Sequence, residues 1–379
     1  MFIGIDHGTT GIRFALLSGG ASENSARIYE ISRERAASLR EREILREIER
    51  AFGVNLSDVK LVAVSYSMGD GISKITDLHA ARNRGLREEV AAGLKVGGGT
   101  RVFDAIKSSG VPAVLIPGIH ADLQCLDRRM RFFSHGASPE KVGIAYYIFK
   151  KGFKDFIFSD VSSNTVSVAV AGGEIAGAID ACIFAPGLIQ GPLDLQLIRD
   201  VQKGLLSANE AFSSAGVLRK FGFQRLTAAE TQKQTQKQKQ GQGRGQKVAR
   251  GAAEGSASDA FETLALFVAM EISALLVLLR DLASTAKIHI FLTGSVGERE
   301  KFRRSVDDLL RKLFTCEEAC KGERILEVQT LTRHSAAIGC AEIARDVFNG
   351  QKRILGIEVE WKSKERMEGE GRRGGGVRK

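Results

Sequence analysis

The first residues whose types could do chemistry together lie in the run DHGTTGIR, which begins at Asp6 and ends at Arg13. An apolar run precedes it and predicts a strand that delivers Asp6 to its carboxyl end. Gly8 lets the backbone approach an anion, Thr9 and Thr10 add donors, and the Arg13 guanidinium matches phosphate oxygens. A carboxylate beside such a turn suits a Mg²⁺ ion whose waters lie between it and a phosphate. The run predicts a phosphate site, with an ordinary polar hairpin as the alternative.

This run resembles the first phosphate motif of the acetate-and-sugar-kinase, Hsp70 and actin superfamily. Asp-x-Gly-Thr-Thr-x-x-Arg is similar to the glycerol-kinase version in particular. Three further segments resemble the superfamily's other motifs in the expected order. Residues 158–165 resemble the second phosphate motif, residues 290–297 the adenosine motif, and residues 335–341 the second connecting helix.

The resemblance implies a role for each motif residue, and ATP and Mg²⁺ as cofactors. Asp160 would be the general base or the organiser of the attacking water, and Asp6 would anchor the metal through its water shell. The remaining nucleotide contacts would come from Gly8, Thr9, Thr10 and Arg13, from Ser162, Ser163 and Asn164, and from Gly294, Ser295 and Gly297.

The chain departs from the superfamily pattern in two of these motifs. The second phosphate motif usually has Gly after its Asp, whereas Ser162, Ser163 and Asn164 fill that turn here. The adenosine motif usually has paired glycines, and Ser295 replaces the second. Both departures predict weaker ATP binding or a site adapted to another ligand.

At closer range the whole chain resembles the archaeal methanogenesis marker protein 12 family. The segments that carry this resemblance are the N-terminal run and residues 65–72, 186–194 and 293–298. The resemblance implies a methanogenic archaeon as the source and implies no particular activity.

The motifs must be positioned by strands. Short apolar runs bounded by Gly and polar residues predict strands over residues 2–6, 12–17 and 26–31, and again over 156–158, 166–170 and 174–178. This recurrence predicts an internally duplicated α/β fold. Further strands are predicted over residues 61–66, 111–116, 288–292 and 353–361, and helices over 36–52, 141–151, 192–204, 263–279 and 335–348.

Pattern and resemblance together predict an α/β fold of two ribonuclease-H-like domains. Each domain would be a mixed sheet flanked by helices, with a nucleotide cleft between the two. The predicted N-terminal actin-like ATPase domain covers residues 1–152 and the C-terminal one residues 153–334. Residues 335–361 are predicted to form the connecting helix and a final strand.

The net charge of +10 is concentrated in two low-complexity segments. Residues 225–255 hold seven Lys or Arg against two Glu, and residues 362–379 hold seven against three. The Gln- and Lys-rich insertion 227–258 and the basic tail 362–379 are predicted to be disordered. Because the rest of the chain is close to neutral, nucleic-acid binding is disfavoured as the main function.

The five cysteines show no C-x-x-C spacing. Cys316 and Cys320 would suit half of a zinc site only if two more ligands came from elsewhere, so reduced cysteines in a cytoplasmic protein are the preferred interpretation. The most apolar stretch, residues 263–279, contains Glu271 and has charged residues at both ends. A membrane span is therefore disfavoured, and a buried helix is predicted.

Other polar residues are interpreted structurally. Asp70 is predicted to be a turn residue, Thr100 to cap a helix, and Asp194 to offset the dipole in the first turn of a helix. His120 and His135 are predicted to be ordinary loop residues. No GxxxxGK[ST] run occurs, which disfavours a P-loop site.

The leading functional hypothesis is ATP-dependent phosphotransfer or ATP hydrolysis. A kinase would use a small-molecule acceptor, and an ATPase switch would act on a protein client. The sequence leaves both possibilities open. It also leaves open whether the protein forms a homodimer. A second class is a non-catalytic nucleotide sensor that kept the fold. A third is an ATP-driven activator of a redox enzyme, for which Cys125 and Cys182 flank Asp160 without matching the known surroundings.

Overall fold

The computed structural model describes residues 1–8, 11–18, 26–66, 68–87, 97–223, 256–283, 287–313 and 326–361, and the statements below concern these residues. Thr9, Thr10, Cys316, Cys320, the tail 362–379 and the predicted insertion up to residue 255 lie outside them. The described residues form two mixed sheets flanked by helices, which confirms the predicted fold class.

The strands alternate with helices along the chain. Their bounds are β1 Phe2–His7, β2 Gly11–Leu17, β3 Arg27–Ser32, β4 Leu61–Ser65, β5 Ile75–Asp77, β6 Ala113–Ile116, β7 Ile119–His120, β8 His135–Ala137, β9 Phe156–Val161, β10 Thr165–Ala171, β11 Glu174–Asp180, β12 Ile288–Thr293, β13 Leu326–Thr330, β14 Arg353–Ile354 and β15 Ile357–Glu360. The first sheet has the order β14-β15-β5-β6-β4-β1-β2-β3, the second β11-β10-β9-β12-β13, and β7 pairs with β8.

The helices cover both faces of the sheets. Their bounds are α1 Arg33–Ser38, α2 Glu41–Phe52, α3 Gly98–Ser109, α4 Glu140–Lys150, α5 Leu195–Gln202, α6 Ala208–Phe212, α7 Val217–Lys220, α8 Ala257–Leu282, α9 Gly294–Gly297, α10 Glu300–Arg311 and α11 Ser335–Phe348.

The two sheets start with the same three-stranded meander, as the recurrent pattern predicted. Strands β1, β2 and β3 pair antiparallel in sequence, and β9, β10 and β11 do the same. A parallel strand then joins each first strand: β4 beside β1 and β12 beside β9. Because β9 extends to Val161, three residues beyond its predicted end, Asp160 lies inside a strand.

Helices α4 and α11 lie between the two sheets and share one apolar cluster with both. A Cβ at Gly339 would overlap the carbonyl oxygen of Gly143, so the two helix backbones pack in direct contact there. Glycines on both helices thus allow this close approach. The final strands β14 and β15 join the edge of the first sheet beside β5.

Several predicted element boundaries are wrong for local reasons. The helix predicted over 36–52 is two helices, because Leu39 is extended. Asp194 is the N-cap of α5 and accepts from the Leu197 amide, which places Pro192 outside the helix. Thr100 caps no helix, since α3 starts at Gly98. The last predicted strand is a hairpin that turns at residues 355 and 356, where φ is +49° and +83°.

Helix α8 is, among the described residues, the one helix long and apolar enough to cross a membrane by length and composition. Its N-cap is Ser256, and the helix starts six residues before its predicted start at residue 263. Leu264, Val268 and Ile272 pack in the apolar cluster of the second sheet. The predicted packing of this helix into a core is thereby confirmed for one face.

Candidate functional site

The first motif occupies the hairpin between β1 and β2, and the register places Asp6 opposite Arg13. Arg13 Nη1 donates to Asp6 Oδ2 at 2.9 Å, and Arg13 Nε lies 3.6 Å from a Glu30 oxygen. Asp6 is only 2% exposed, and burial raises its pKa to about 6 although the Arg13 charge opposes the rise. Its Oδ1 has no hydrogen-bond partner among the described residues. One oxygen of this buried carboxylate is therefore available to a ligand.

Arg33, at the start of α1, also contacts the first motif. Its Nε donates to the carbonyl oxygen of Gly8 at 2.8 Å and its Nη2 to that of His7 at 3.2 Å. Sequence reasoning missed Arg33, because it stands in a charged run with no motif around it. The contact places a second guanidinium beside Gly8, on the same motif as Arg13.

His7 points away from solvent in the same hairpin. Its ring meets Tyr66 edge-on at 5.3 Å between centroids, and Tyr66 Oη lies 2.9 Å from Thr100 Oγ1. Burial lowers the pKa of His7 to about 4, with the nearby Arg33 charge adding to the effect. The imidazole is consequently neutral at physiological pH, and Thr100 serves this side-chain network in place of the predicted cap.

Asp160 has hydrogen-bond donors on both of its oxygens. Lys141 Nζ lies 3.0 Å from Oδ2, and Ser162 Oγ donates to Oδ1 at 3.1 Å. Lys141, in the first turn of α4, is 8% exposed in its side chain and lies 2.7 Å from Glu140 Oε1. Burial opposes its charge, but Asp160 and Glu140 together raise the pKa of Lys141 above its usual value. A fixed ammonium thus lies between two carboxylates, and sequence reasoning missed it.

The adenosine motif packs directly on Asp160. Gly294 has φ +88°, and a Cβ there would overlap both Asp160 Oδ1 and Ser162 Oγ, so only glycine fits. The Ser295 amide donates to Ser162 Oγ at 3.0 Å. Gly297 ends α9, and a Cβ on it would lie 3.6 Å from the Val161 side chain. The presence of Ser162 where the superfamily usually has Gly therefore has a structural reason. The Ser162 hydroxyl bonds to Asp160 in its own motif and to the Ser295 amide in the segment that resembles the adenosine motif.

The other two turn residues, Ser163 and Asn164, bind the end of β11 and the chain that follows it. The carbonyl oxygen of Ser163 accepts from the amides of Ile189 at 3.0 Å and Gln190 at 2.9 Å. Asn164 Nδ2 donates to Asp180 Oδ2 at 3.0 Å, while Asn164 Oδ1 is buried with no partner in the described part of the chain. Residues predicted as phosphate ligands thus also order a neighbouring loop.

The two histidines predicted as loop residues belong to strands, which corrects that interpretation. His120 in β7 pairs with His135 in β8, and both side chains are largely buried. His120 Nε2 contacts the Ile72 carbonyl oxygen at 2.8 Å, and His135 Nε2 lies 4.0 Å from Asp180 Oδ2. Asp70 is a turn residue as predicted, since its Oδ1 accepts from the backbone amide of Arg87.

The charged groups around Asp6 and those around Asp160 influence each other electrostatically. The Lys141 charge lowers the pKa of Asp6, and the Asp160 charge raises that of Arg13, though burial is the largest influence on both groups. The described residues contain no group of three or more His, Cys, Asp or Glu that could hold a metal. A single buried carboxylate with a free oxygen, beside fixed cations, fits a Mg²⁺ ion that arrives on a phosphate and keeps most of its waters.

Comparison with known proteins identifies relatives along nearly the whole chain. No family model matches. The chain is 46% identical over 364 residues to a UPF0285 protein of Methanosarcina barkeri, covering 95% of this chain and 99% of the relative. It is 41% identical over 362 residues to a UPF0285 protein of Methanocaldococcus jannaschii, with the same coverage.

Solved structures give the fold. The acetate kinase of Porphyromonas gingivalis superposes with a TM-score of 0.58 at 12% identity, over 91% of this chain and 98% of that one. A propionate kinase of Francisella tularensis gives 0.55 at 13% identity, over the same shares. These superpositions confirm the predicted α/β fold of mixed sheets flanked by helices. The 46% and 41% identities show that the chain belongs to the UPF0285 family of methanogenic archaea.

Proposed function

We propose that this protein binds ATP with Mg²⁺ between its two sheets and transfers the γ-phosphoryl group to an acceptor or to water. The observation that carries the proposal is the Lys141 ammonium, fixed between Asp160 and Glu140 and electrostatically coupled to Asp6. The likeness to acetate and propionate kinases supplies the fold alone.

Each side chain has a role that its contacts support. Arg13 and Lys141 place two cations where phosphate oxygens would lie, and charge-assisted hydrogen bonds to such oxygens are strong. Asp6 Oδ1 has no partner in the described part of the chain, and we assign it to a metal-bound water. Both oxygens of Asp160 already accept hydrogen bonds. We therefore assign Asp160 a positioning role, in which it holds the Lys141 ammonium in place. ATP would supply the phosphoryl group, and Mg²⁺ would offset the charge of its oxygens.

The nucleotide would extend from these cations toward α9. Gly294 and Ser295 place backbone, without a bulky side chain, against Ser162. The short helix that they begin gives the adenine-bearing half of the ligand an open approach. Thr9 and Thr10 are proposed as nucleotide contacts on the basis of the sequence motif alone.

The alternatives have less support. Burial raises the pKa of Cys125 to about 11, which disfavours the thiolate that a redox activator would need there. The nucleotide-sensor alternative would keep the same binding residues and lack turnover. We further propose a methanogenesis marker protein 12 role in the cytoplasm of a methanogen, with a small-molecule acceptor or protein client. The organisms of the curated relatives support the methanogen part.

Calorimetry with Mg·ATP and Mg·ADP, followed by measurement of γ-phosphate release, tests the proposal. Wild type should bind both nucleotides, and Asp160→Asn should keep binding and lose turnover. No heat of binding at millimolar nucleotide contradicts the proposal. Binding without turnover into water or any acceptor would favour the sensor.

A further inference from the structure

Asp160 and Asp180 stand in one row across the second sheet. Val166 of β10 is paired with Asp160 on one side and with Asp180 on the other. Directly opposed residues project from the same face, and strands are spaced by about 4.8 Å, so the two backbones lie roughly 10 Å apart. This face of the sheet therefore presents two carboxylates, and only Asp160 belongs to a recognised motif.

The segment from β8 into α4 crosses this face and matches each carboxylate with a different partner. Lys141 contacts Asp160, while His135 Nε2 lies 4.0 Å from Asp180 Oδ2. Asp180 is itself fixed, because Asn164 Nδ2 donates to Oδ2 at 3.0 Å and the Cys182 amide donates to Oδ1 at 3.1 Å. The result is an imidazole beside a rigid carboxylate, next to the proposed phosphoryl site.

Two polar atoms beside Asp180 are buried and lack a partner among the residues that the structure describes: His135 Nδ1 and Asn164 Oδ1. A buried polar atom without a hydrogen bond costs about 1–3 kcal/mol, so each of these atoms is a point where a ligand could add a hydrogen bond. When Nε2 carries its proton toward Asp180, Nδ1 has a lone pair. Both atoms then accept hydrogen bonds, and the ligand must donate.

The surrounding charges select the ligand further. The groups that act on His135 are Asp180 of β11, Asp70, Glu140 of α4 and His120 of β7. Three of these are carboxylates, and the Lys141 ammonium nearby is already bound by Asp160 and Glu140. A carboxylate ligand would meet like charge here and has no hydrogen to donate, whereas a hydroxyl group supplies the hydrogen that His135 Nδ1 accepts.

We propose that His135, oriented by Asp180, is the general base of the reaction, and that the acceptor is a hydroxyl compound and not a carboxylate. This inference rests on the proposed phosphotransfer. The hydroxyl oxygen forms a bond to the γ-phosphorus as the bond from that phosphorus to the bridging oxygen breaks, leaving the electron pair on the nucleoside diphosphate. The hydroxyl proton passes to His135 Nδ1 and later to water. Burial lowers the pKa of His135, which favours the neutral imidazole that a base requires.

The test compares acceptors and variants. Wild type, His135→Asn, Asp180→Asn and the control His79→Asn receive Mg·ATP with glycerol, glucose, acetate, propionate or water alone. The release of ADP is followed. Nucleotide affinity is measured on each protein by calorimetry. His79 is exposed and contacts the carbonyl oxygen of Val111, outside the proposed site.

Turnover into water or a hydroxyl acceptor should fall by roughly 10²–10⁴ in His135→Asn, with nucleotide affinity unchanged. In Asp180→Asn the acid limb of the kcat/KM profile should move to lower pH, because His135 loses its nearest carboxylate, and a purely structural role would not move it. His79→Asn should match wild type.

Preference for acetate or propionate overturns the inference, as does full turnover by His135→Asn. It also fails if bound nucleotide is never turned over, since water is itself a hydroxyl acceptor. Failure to bind nucleotide would instead refute the proposed function.

Discussion

Lys141 Nζ lies 3.0 Å from Asp160 Oδ2 and joins α4, a helix between the two sheets, to a strand of the second sheet. Lys141 is buried and Asp160 is half-buried, with its side chain 18% exposed, and Glu140 completes the contact. Loss of the Lys141 ammonium would leave the carboxylates of Asp160 and Glu140 between the sheets without their cation. This contact therefore contributes both to the stability of the protein and to the charge of the candidate site.

Lys141→Met should lower the free energy of unfolding by about 3–5 kcal/mol, the usual cost of leaving a buried ion pair without one partner. Lys150→Met, on the same helix, removes a more exposed pair with Asp346 and should cost about 1 kcal/mol or less. Urea denaturation of both variants makes the comparison. Equal losses would mean that the Lys141 pair contributes nothing beyond a surface contact.

Asp6→Asn should weaken the dependence of nucleotide affinity on Mg²⁺, because the variant loses the carboxylate charge beside the free Oδ1. Glu30→Gln is the matched control, since Glu30 also approaches Arg13, at 3.6 Å, and has no proposed metal role. The measurement is calorimetry with ATP at several Mg²⁺ concentrations. An unchanged Mg²⁺ dependence in Asp6→Asn would remove the metal assignment.

Gly294→Ala should reduce stability by about 1–3 kcal/mol, because φ is +88° and the new Cβ would displace Asp160 and Ser162. Nucleotide affinity should fall with it. Gly297→Ala lies in the same short helix, where the nearest atoms to a Cβ stand at 3.6 Å, and should be close to wild type. Thermal melts and calorimetry distinguish the two variants, and similar behaviour would contradict the proposed packing.

Glu271 gives the protein a pH-dependent stability. Burial raises the pKa of Glu271 to about 8, while its Oε2 accepts from the Ala185 amide at 2.8 Å. The folded state therefore binds the Glu271 proton more tightly than the unfolded state, in which the carboxyl has a pKa of about 4.3. The Glu271 contribution to stability consequently falls as pH rises from about 4.3 toward 8. Glu271→Gln should lack this decline.

Urea denaturation of wild type and Glu271→Gln from pH 5 to pH 9 measures the effect. The difference between the two proteins should grow with pH in favour of the glutamine variant. A difference that stays constant with pH would show that Glu271 is ionised in the folded protein as in the unfolded one.

Much of the fold was predictable because the relevant signals are local. The apolar run before Asp6, the glycines that follow it and the repeat of this pattern near Asp160 predicted both meanders. Helix ends were less predictable, since Asp194 and Ser256 act as N-caps through single side-chain hydrogen bonds. Spacing of apolar residues does not identify which of several nearby polar residues makes that bond.

The sequence by itself determined the hairpin that places Asp6 opposite Arg13, because neighbouring strands joined by a short turn leave little choice of register. The tertiary structure alone decided that Arg33 binds Gly8, that Lys141 binds Asp160 and that His135 approaches Asp180. In each of these pairs the partners lie far apart in the sequence, so no local pattern pairs them. Their meeting depends on how helices α1 and α4 and strand β8 pack against the sheets, which is set by the burial of whole apolar faces and not by any motif around the charged residue.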